Sequence, residues 1–251
     1  MISDPWFWAL AIPAVALTGI GKGGLGGGVP VATPLMALVI PPAQAAAITL
    51  PVLCVMDLAG VRAYLWRWDR RIVRILVPAG IAGICLGALT IRLMNDDWIR
   101  ILLGSIALGV LAWTFFPKRA ALRKPGDAMG WLCGMLSGFT GFITHAGSPP
   151  VMAYLLPQKL EKETFVATSL IFFFTLNYGK IVPYLWLRLF DARVLATAAV
   201  LVPAGIAGIY AGMWLQRRID VRWFYRLLYA LLLFTGTKLL YDGITGLRPV
   251  G

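Results

Sequence analysis

The stretch from residue 5 to residue 56 carries a single charged side chain, Lys22, and no other feature of the chain constrains its fold as strongly. A transmembrane helix needs about 20 consecutive apolar residues, so this stretch favours a membrane setting. Of the 251 residues, 59% are hydrophobic and 14% are charged, whereas an average soluble domain is about half apolar and about a quarter charged. The sequence therefore predicts an integral membrane protein that interacts with the lipid bilayer over most of its length.

The net charge of +12 does not indicate a nucleic-acid partner. Most of the 23 basic residues lie in short runs between long apolar stretches, which is typical of the cytoplasmic loops of polytopic membrane proteins. The three cysteines lie inside apolar segments far apart in sequence, so we interpret them as small buried hydrophobic residues. We predict no cofactor and no metal site.

Six segments have the length and composition of single transmembrane helices: 45–65, 75–91, 99–116, 164–187, 194–216 and 223–245. Two other regions, 5–40 and 128–158, are too long for one crossing and too short for two. Both contain glycine and proline near their middle, and residues 19–28 include seven glycines. Each glycine costs about 1 kcal/mol relative to alanine inside a helix. We therefore expect each region to form two half-helices joined by a loop at membrane depth, which requires a cavity or surrounding protein.

An internal repeat divides the chain. The sequence VPAGIAGI at residues 77–84 recurs letter for letter at residues 202–209, an offset of 125. The two Gly/Pro-rich regions align at an offset of 119 to 120. The sequence therefore predicts two homologous halves, 1–120 and 121–251, each with one broken or re-entrant helix region followed by three transmembrane helices.

The charges of the matched loops indicate how the halves are oriented. The loop after the second element is strongly basic in the first half and weakly basic in the second, and the loop after the third element shows the reverse. Homologous loops with opposite bias should face opposite sides of the membrane. We expect an all-α polytopic protein built from inverted repeats, although eight helices with parallel repeats remain an alternative.

Inverted repeats with interrupted helices are typical of secondary transporters. The N-terminus of a helix exposes unpaired N–H groups and about half a positive charge, so two such ends near the membrane midplane form an anion site. Glycine also lets the backbone approach a ligand closely. We predict that the small anionic substrate contacts the loops that contain Gly23, Gly24, Gly27, Gly147 and Ser148, with Ser148 as a helix N-cap.

Two side chains in these loops can contact the substrate. Lys22 either attracts the anionic substrate directly or extends its side chain to the membrane interface. We favour direct attraction because the stretch 5–56 is otherwise uncharged. His145, the only histidine, follows Thr144, which we also assign to the substrate site. His145 has three open roles: a structural donor, a substrate contact or a proton relay. The chain shows no spacing of metal ligands and no catalytic constellation, so we predict that it is not an enzyme.

Asp57 and Lys180 are two further charged residues inside predicted spans, and both lie on the second element of their half. Asp57 aligns with Asn177 on the repeat, so an inverted fold would bring these positions close together. Asp57 and Lys180 then form either a structural ion pair or part of an ion-coupling site that includes His145. We add Asn177 to the candidate substrate contacts.

Four motifs together resemble the sulfite exporter TauE/SafE family, also called the toluene sulfonate uptake permease family: GKGGLGGG at 21–28, IPPAQ at 40–44, GFTGFITHAGSPP at 138–150 and YLLPQ at 154–158. The resemblance covers essentially the whole chain. It implies a multi-pass transporter of the bacterial inner membrane for sulfite or organosulfonates such as sulfoacetate. Ser148 replaces a glycine of a similar His-Ala-Gly-Gly-Pro-Pro pattern, so the resemblance implies neither a particular sulfonate nor the direction of transport.

The leading hypothesis is a secondary transporter that alternates access around an anion held between Lys22 and the loop 145–148. A passive anion channel is the alternative. A homodimer is compatible with such a transporter, although the sequence identifies no interface.

The inverted topology can be tested by tagging the loop at residues 217–226. The basic residues of this loop favour a position in the cytoplasm. Inverted repeats give the loop that position, whereas parallel repeats place it outside. A cysteine introduced into this loop should therefore react with an impermeant maleimide only after the cells are opened. Labelling of intact cells would favour the parallel topology.

Overall fold

The computed structural model describes residues 2, 4–24, 31–63, 67–115, 124–215 and 221–247 of the chain. Within these ranges the protein forms ten α-helices, one short 3-10 turn at Leu156–Gln158 and no β-strand. The helices are α1 (Pro5–Gly24), α2 (Ala32–Met36), α3 (Pro42–Ala63), α4 (Arg70–Leu93), α5 (Asp96–Phe115), α6 (Asp127–Thr144), α7 (Ser148–Leu155), α8 (Lys162–Trp186), α9 (Ala192–Leu215) and α10 (Val221–Gly246).

The all-α polytopic fold predicted from the sequence is confirmed. Each of the six predicted spans coincides with one long helix, namely α3, α4, α5, α8, α9 or α10. Five helical segments of the described chain are long and apolar enough to cross a membrane: Pro5–Gly23, Arg70–Leu93, Glu163–Trp186, Ala192–Leu215 and Arg226–Gly246. The protein is therefore a multi-pass membrane protein.

The two broken regions differ from the expected pairs of half-helices. Helix α1 has 20 residues and α6 has 18, so at about 1.5 Å per residue each extends for roughly 30 Å, close to a full membrane crossing. Each is followed by a much shorter helix, α2 with five residues and α7 with eight. Gly27 and the predicted loop at 26–28 lie outside the described residues, as do most of the basic linker at 118–124 and the cluster at 217–220.

Helix α1 tolerates its glycines because they provide close contact with another helix. A Cβ atom added to Gly19 would collide with the carbonyl oxygen of Gly205, and one added to Gly23 would collide with the backbone of Ile209. Small residues allow helix backbones to approach closely in membranes, where van der Waals packing drives helix association. The lost helix propensity is thus offset by packing of α1 on α9, which explains why the helix continues to Gly24.

The same contact occurs again between α4 and α6. A Cβ atom on Gly138 would collide with the carbonyl oxygen of Gly80, just as one on Gly19 collides with that of Gly205. Gly80 and Gly205 occupy the same position in the repeated VPAGIAGI sequence, and Gly138 and Gly19 are aligned in the broken regions. The repeated octapeptide of α9 therefore packs against α1, and that of α4 packs against α6.

Equivalent helices of the two halves run in opposite directions where they touch. Asp57 of α3 contacts Asn177 near the end of α8, and Arg67, which follows α3 in the chain, contacts Glu163 near the start of α8, so the two helices are antiparallel. A Cβ atom on Gly236 of α10 would meet Leu108 of α5, and one on Gly243 would meet Ile101, which makes this pair antiparallel as well. These directions support the inverted interpretation, while the division at residue 120 and the inversion itself remain predictions.

Substitutions at the repeated glycines test this packing. Gly208 in α9 and Gly83 in α4 are equivalent, and an added Cβ atom would collide with the carbonyl oxygen of Ala16 or Met135 respectively. We expect Gly208→Ala and Gly83→Ala each to lower the free energy of unfolding by about 1–3 kcal/mol through overpacking. Denaturation of the purified protein in detergent measures this loss.

Gly109→Ala is the matched control, because the space around the Gly109 Cβ position is open to 4 Å. This variant should be unchanged or stabilised by up to about 1 kcal/mol, the helix-propensity difference. Equal stability of all three variants would contradict the close packing.

Candidate functional site

A cavity of about 170 Å³ lies between α1, α2, α3, the α6–α7 segment and α8. We call it the central cavity. Both broken regions line it near their middles: α1 contributes Thr18 and Lys22, and the loop after α6 contributes His145 and Gly147. The loop after α6 therefore places a short segment of backbone next to the cavity, while the described part of the first region contributes residues of α1 and α2.

Most of the residues predicted for the site line the central cavity. This holds for Lys22, Asp57, Thr144, His145, Gly147, Ser148, Asn177 and Lys180. Gly23 instead faces the backbone of Ile209 on α9, so its role in the structure is helix packing. Gly24 ends α1, and Gly27 lies outside the described residues.

A chain of polar contacts crosses the central cavity. The Lys22 ammonium forms an ion pair with Oδ1 of Asp57. The Asn177 amide donates from Nδ2 to Oδ2 of Asp57 at 2.6 Å. Lys180 donates from Nζ to Oδ1 of Asn177 at 2.8 Å. We call these four side chains the polar network.

In the structure Asp57 does not contact Lys180 directly, so the direct ion pair, one of the two roles left open for these residues, does not form. Among the described residues, the cation in contact with Asp57 is Lys22, and the Asn177 amide lies between Asp57 and Lys180. Asparagine fits between them because its NH₂ group donates to the carboxylate while its oxygen accepts from the ammonium. Asn177 is thus engaged on both sides by protein groups, which identifies it as a bridge within the network.

Burial makes these contacts necessary. Asp57, Lys180 and Asn177 are 2%, 3% and 4% exposed, whereas the side chain of Lys22 is 26% exposed. A buried charge without a partner is strongly unfavourable, so buried ions in proteins are paired and hydrogen-bonded. Lys22 retains access to the cavity while it neutralises Asp57.

His145 connects the loop to two other helices. It follows the last residue of α6 with a left-handed backbone (φ 58°), and its N–H donates to the carbonyl of Gly141. Nδ1 lies 3.4 Å from Nζ of Lys180, and Nε2 lies 3.0 Å from the carbonyl oxygen of Ala46 in α3. An ammonium has donors only, so Nδ1 is the acceptor and Nε2–H donates to Ala46. The ring is therefore both a structural donor and part of the cavity wall.

Side-chain hydrogen bonds hold the loop that follows α6. Ser137 donates from Oγ to the carbonyl of Gly147 at 2.6 Å, and Thr140 donates from Oγ1 to that of Ala146 at 3.2 Å. Helix α7 begins at Ser148 with Gly147 as its N-cap, one residue earlier than predicted, and no side chain caps it. Because Pro149 and Pro150 lack an N–H, the amide donors that this helix start offers are those of Gly147 and Ser148.

The charges around the central cavity do not cancel. Its described lining contains two ammonium groups, Lys22 and Lys180, and one carboxylate, Asp57. With Nδ1 of His145 acting as an acceptor, one positive charge is in excess. The arrangement therefore attracts one negative charge, and no group of three or more metal-ligating side chains occurs in the described part of the chain.

Sequence reasoning missed the apolar part of the lining. Met152, Phe165 and Phe173 line the central cavity together with Val166 and Leu170. The signal was present in the spacing, because 166, 169, 173, 176 and 180 recur at helical intervals that end at Lys180. An apolar stripe that leads to a buried lysine indicates a cavity wall, because a lysine on a lipid-facing stripe would be unfavourable.

Replacing Asp57 tests whether the polar network supports the fold. Asp57→Asn keeps the shape of the side chain but leaves Lys22 and Lys180 without a counter-charge. We expect a loss of about 3–5 kcal/mol in the free energy of unfolding, the usual effect of removing one partner of a buried pair. Chemical denaturation in detergent, in buffer of low anion content, measures it.

Asp242→Asn is the control, because Lys238–Asp242 is a more exposed Lys–Asp pair within α10. This substitution should lower the free energy of unfolding by about 0–1 kcal/mol. Equal losses in the two variants would show that burial of the network contributes nothing specific.

The family of the chain agrees with this geometry. The protein-family model described as Sulfite exporter TauE/SafE matches residues 11–239, which include every residue of the polar network and both broken regions except residues 5–10. A search of curated proteins and a search of solved structures each found no match to the chain. The match covers nearly the whole sequence and confirms the resemblance seen in its motifs. The chain therefore belongs to the sulfite exporter TauE/SafE family, a family of membrane transporters for sulfur-containing anions.

Proposed function

We propose that this protein is a secondary active transporter that moves sulfur-containing anions, sulfite or an organosulfonate, across the bacterial inner membrane by alternating access. The anion binds in the central cavity between Lys22 and Lys180, next to His145 and the amides of Gly147 and Ser148. Helix α2, with five residues, is too short for a substantial dipole, so Lys22 supplies the attraction on that side.

The excess positive charge of the central cavity carries the proposal. Two buried or half-buried ammonium groups face one carboxylate in a space that contains no other charged group among its described lining residues. An unpaired charge at this depth is costly, and a bound anion removes the cost. An anion therefore gains a favourable binding energy in the cavity, and a neutral or positively charged solute does not.

The location of the site between the halves supports alternating access. Lys22 and Asp57 belong to the first half, whereas His145, Asn177 and Lys180 belong to the second. The contacts Asp57–Asn177 and Ala46–His145 join the halves directly beside the cavity. A local movement that opens these contacts would therefore rearrange the site as access changes.

Variants that change the charge of the central cavity test the proposal. Lys180→Met lowers the net charge of the cavity to zero, and Asp57→Asn raises it to two. A charge-assisted hydrogen bond is worth about 1.5–3 kcal/mol, so we expect Lys180→Met to weaken anion binding by about 10- to 100-fold. Asp57→Asn should strengthen binding, and the double variant Lys22→Met/Asp57→Asn, which keeps the net charge, separates the direct contact of Lys22 from the effect of charge.

Binding is measured by ligand-induced thermal stabilisation and calorimetry of the purified protein in detergent. The panel contains sulfite, sulfoacetate, aromatic sulfonates, sulfate, matched carboxylates and taurine. Lys238→Met on α10 is the control for a general loss of positive charge. The proposal is wrong if no anion binds, or if Lys180→Met binds as tightly as the unchanged protein.

Flux into proteoliposomes distinguishes the transporter from the alternative, a passive anion channel. A coupled transporter accumulates the anion above its equilibrium level when a proton or sodium gradient is imposed. A channel only dissipates the gradient of the anion itself.

A further inference from the structure

One face of α8 lines the central cavity, and its chemistry changes along the helix. Lining residues recur at intervals of three or four from Phe165 to Lys180, a distance of about 22 Å at 1.5 Å per residue. Asn177 and Lys180 lie at one end of this stripe, and Phe165 and Val166 lie at the other. The cavity therefore has a charged end and an apolar end.

The charged end contains all the charged residues of the described lining. Asp57 contacts Asn177, Lys22 pairs with Asp57, and the ring of His145 lies beside Lys180. The apolar end is formed by Phe165, Val166, Leu170 and Phe173 of α8, and Met152 of α7 also lines the cavity. Ser169 is the one polar side chain of this stretch of the described lining.

The two ends meet at the loop that follows α6. A Cβ atom added to Gly147 would lie 3.4 Å from Cε1 of Phe173, so the aromatic ring packs against the loop that also carries His145 and Ser148. Phe173 lies two turns, or about 10 Å, from Lys180 along α8. A ligand whose head group is held at Lys180 therefore meets an apolar wall immediately beyond that head group.

The volume of the central cavity exceeds what an inorganic oxyanion needs. Liquid water occupies about 30 Å³ per molecule, so about 170 Å³ corresponds to five or six waters. An engineered apolar cavity of about 150 Å³ in another protein admits benzene. The central cavity thus has room for a charged head group and several carbon atoms.

We propose that the central cavity selects an organic anion with one negative charge and an apolar tail of a few carbon atoms. The head group lies at Lys180, His145 and Ser148, and the tail lies along Phe173, Leu170 and Met152. This inference rests on the proposed function and narrows its substrate class. The single excess positive charge matches one negative charge, and a second charge on the tail would be desolvated among apolar side chains without a partner.

A series of sulfonates with a constant head group tests the inference on the unchanged protein. Burial of one methylene is worth about fourfold in affinity, so propane-1-sulfonate should bind about 15-fold more tightly than methanesulfonate. Benzenesulfonate should bind at least as well as propane-1-sulfonate. Ethane-1,2-disulfonate and taurine, whose tails are charged, should bind at least tenfold more weakly. Calorimetry in detergent gives the dissociation constants.

Ser169→Lys provides a second test, because it introduces a positive charge at the apolar end. This variant should reverse the preference and bind ethane-1,2-disulfonate more tightly than propane-1-sulfonate. Ser169→Met is the matched control, because its side chain has similar length and no charge. The control should keep the preference for propane-1-sulfonate.

The outcomes separate the two proposals. Equal affinity for all tails, with anion binding retained, overturns the inference and leaves the proposed function in place, since the apolar end would then be only a passage. Absence of binding by every anion in the series overturns the proposed function itself. If Ser169→Lys fails to fold, the tail series on the unchanged protein still decides the question.

Discussion

The structure depends on the cost of keeping charged side chains inside a membrane. Asp57 and Lys180 are almost completely buried, and they persist because Lys22 and Asn177 provide partners with matched donors and acceptors. Each partner is delivered by a different feature of the fold. The last turn of α1 positions Lys22, the antiparallel contact of α3 and α8 aligns Asp57 with Asn177, and the loop after α6 places His145 against Lys180.

Close helix packing provides the rigid frame that this network requires. Glycines at equivalent positions let α1 approach α9 and α6 approach α4 until backbone atoms touch. Such contacts tolerate little displacement, because an added methyl group already collides with a carbonyl oxygen. The long helices of the broken regions are therefore fixed against the other half, and their short continuations can shape the cavity.

The sequence predicted the fold class, the six spans outside the broken regions and the charged residues of the cavity lining, because hydropathy and intramembrane charge are local properties of a chain. It predicted the interior of the broken regions less well. Glycine was counted by its helix propensity alone, but at Gly19 and Gly23 the packing against α9 outweighs that cost. The sequence also left the role of Asp57 and Lys180 open, because two lysines were available and only the three-dimensional arrangement shows that Lys22 contacts Asp57.

The apolar end of the central cavity illustrates a different limit. Phe165, Phe173 and Met152 are ordinary residues for a transmembrane helix, and hydropathy does not distinguish a cavity wall from a lipid-facing surface. The helical spacing of these residues from Lys180 distinguishes a cavity wall from a lipid-facing surface, but only when Lys180 is known to face inward.

Asp57 and Asn177 occupy equivalent positions and touch each other, yet one is charged and the other is neutral. Two identical carboxylates at this contact would repel each other, and two amides would leave both lysines without a counter-charge. In a transporter made of two identical inverted halves, the inward-open and outward-open states would have equal free energy by symmetry. Under the inverted interpretation, this one-charge difference at the centre is one of the features that remove that degeneracy, so it contributes to the resting orientation of the protein.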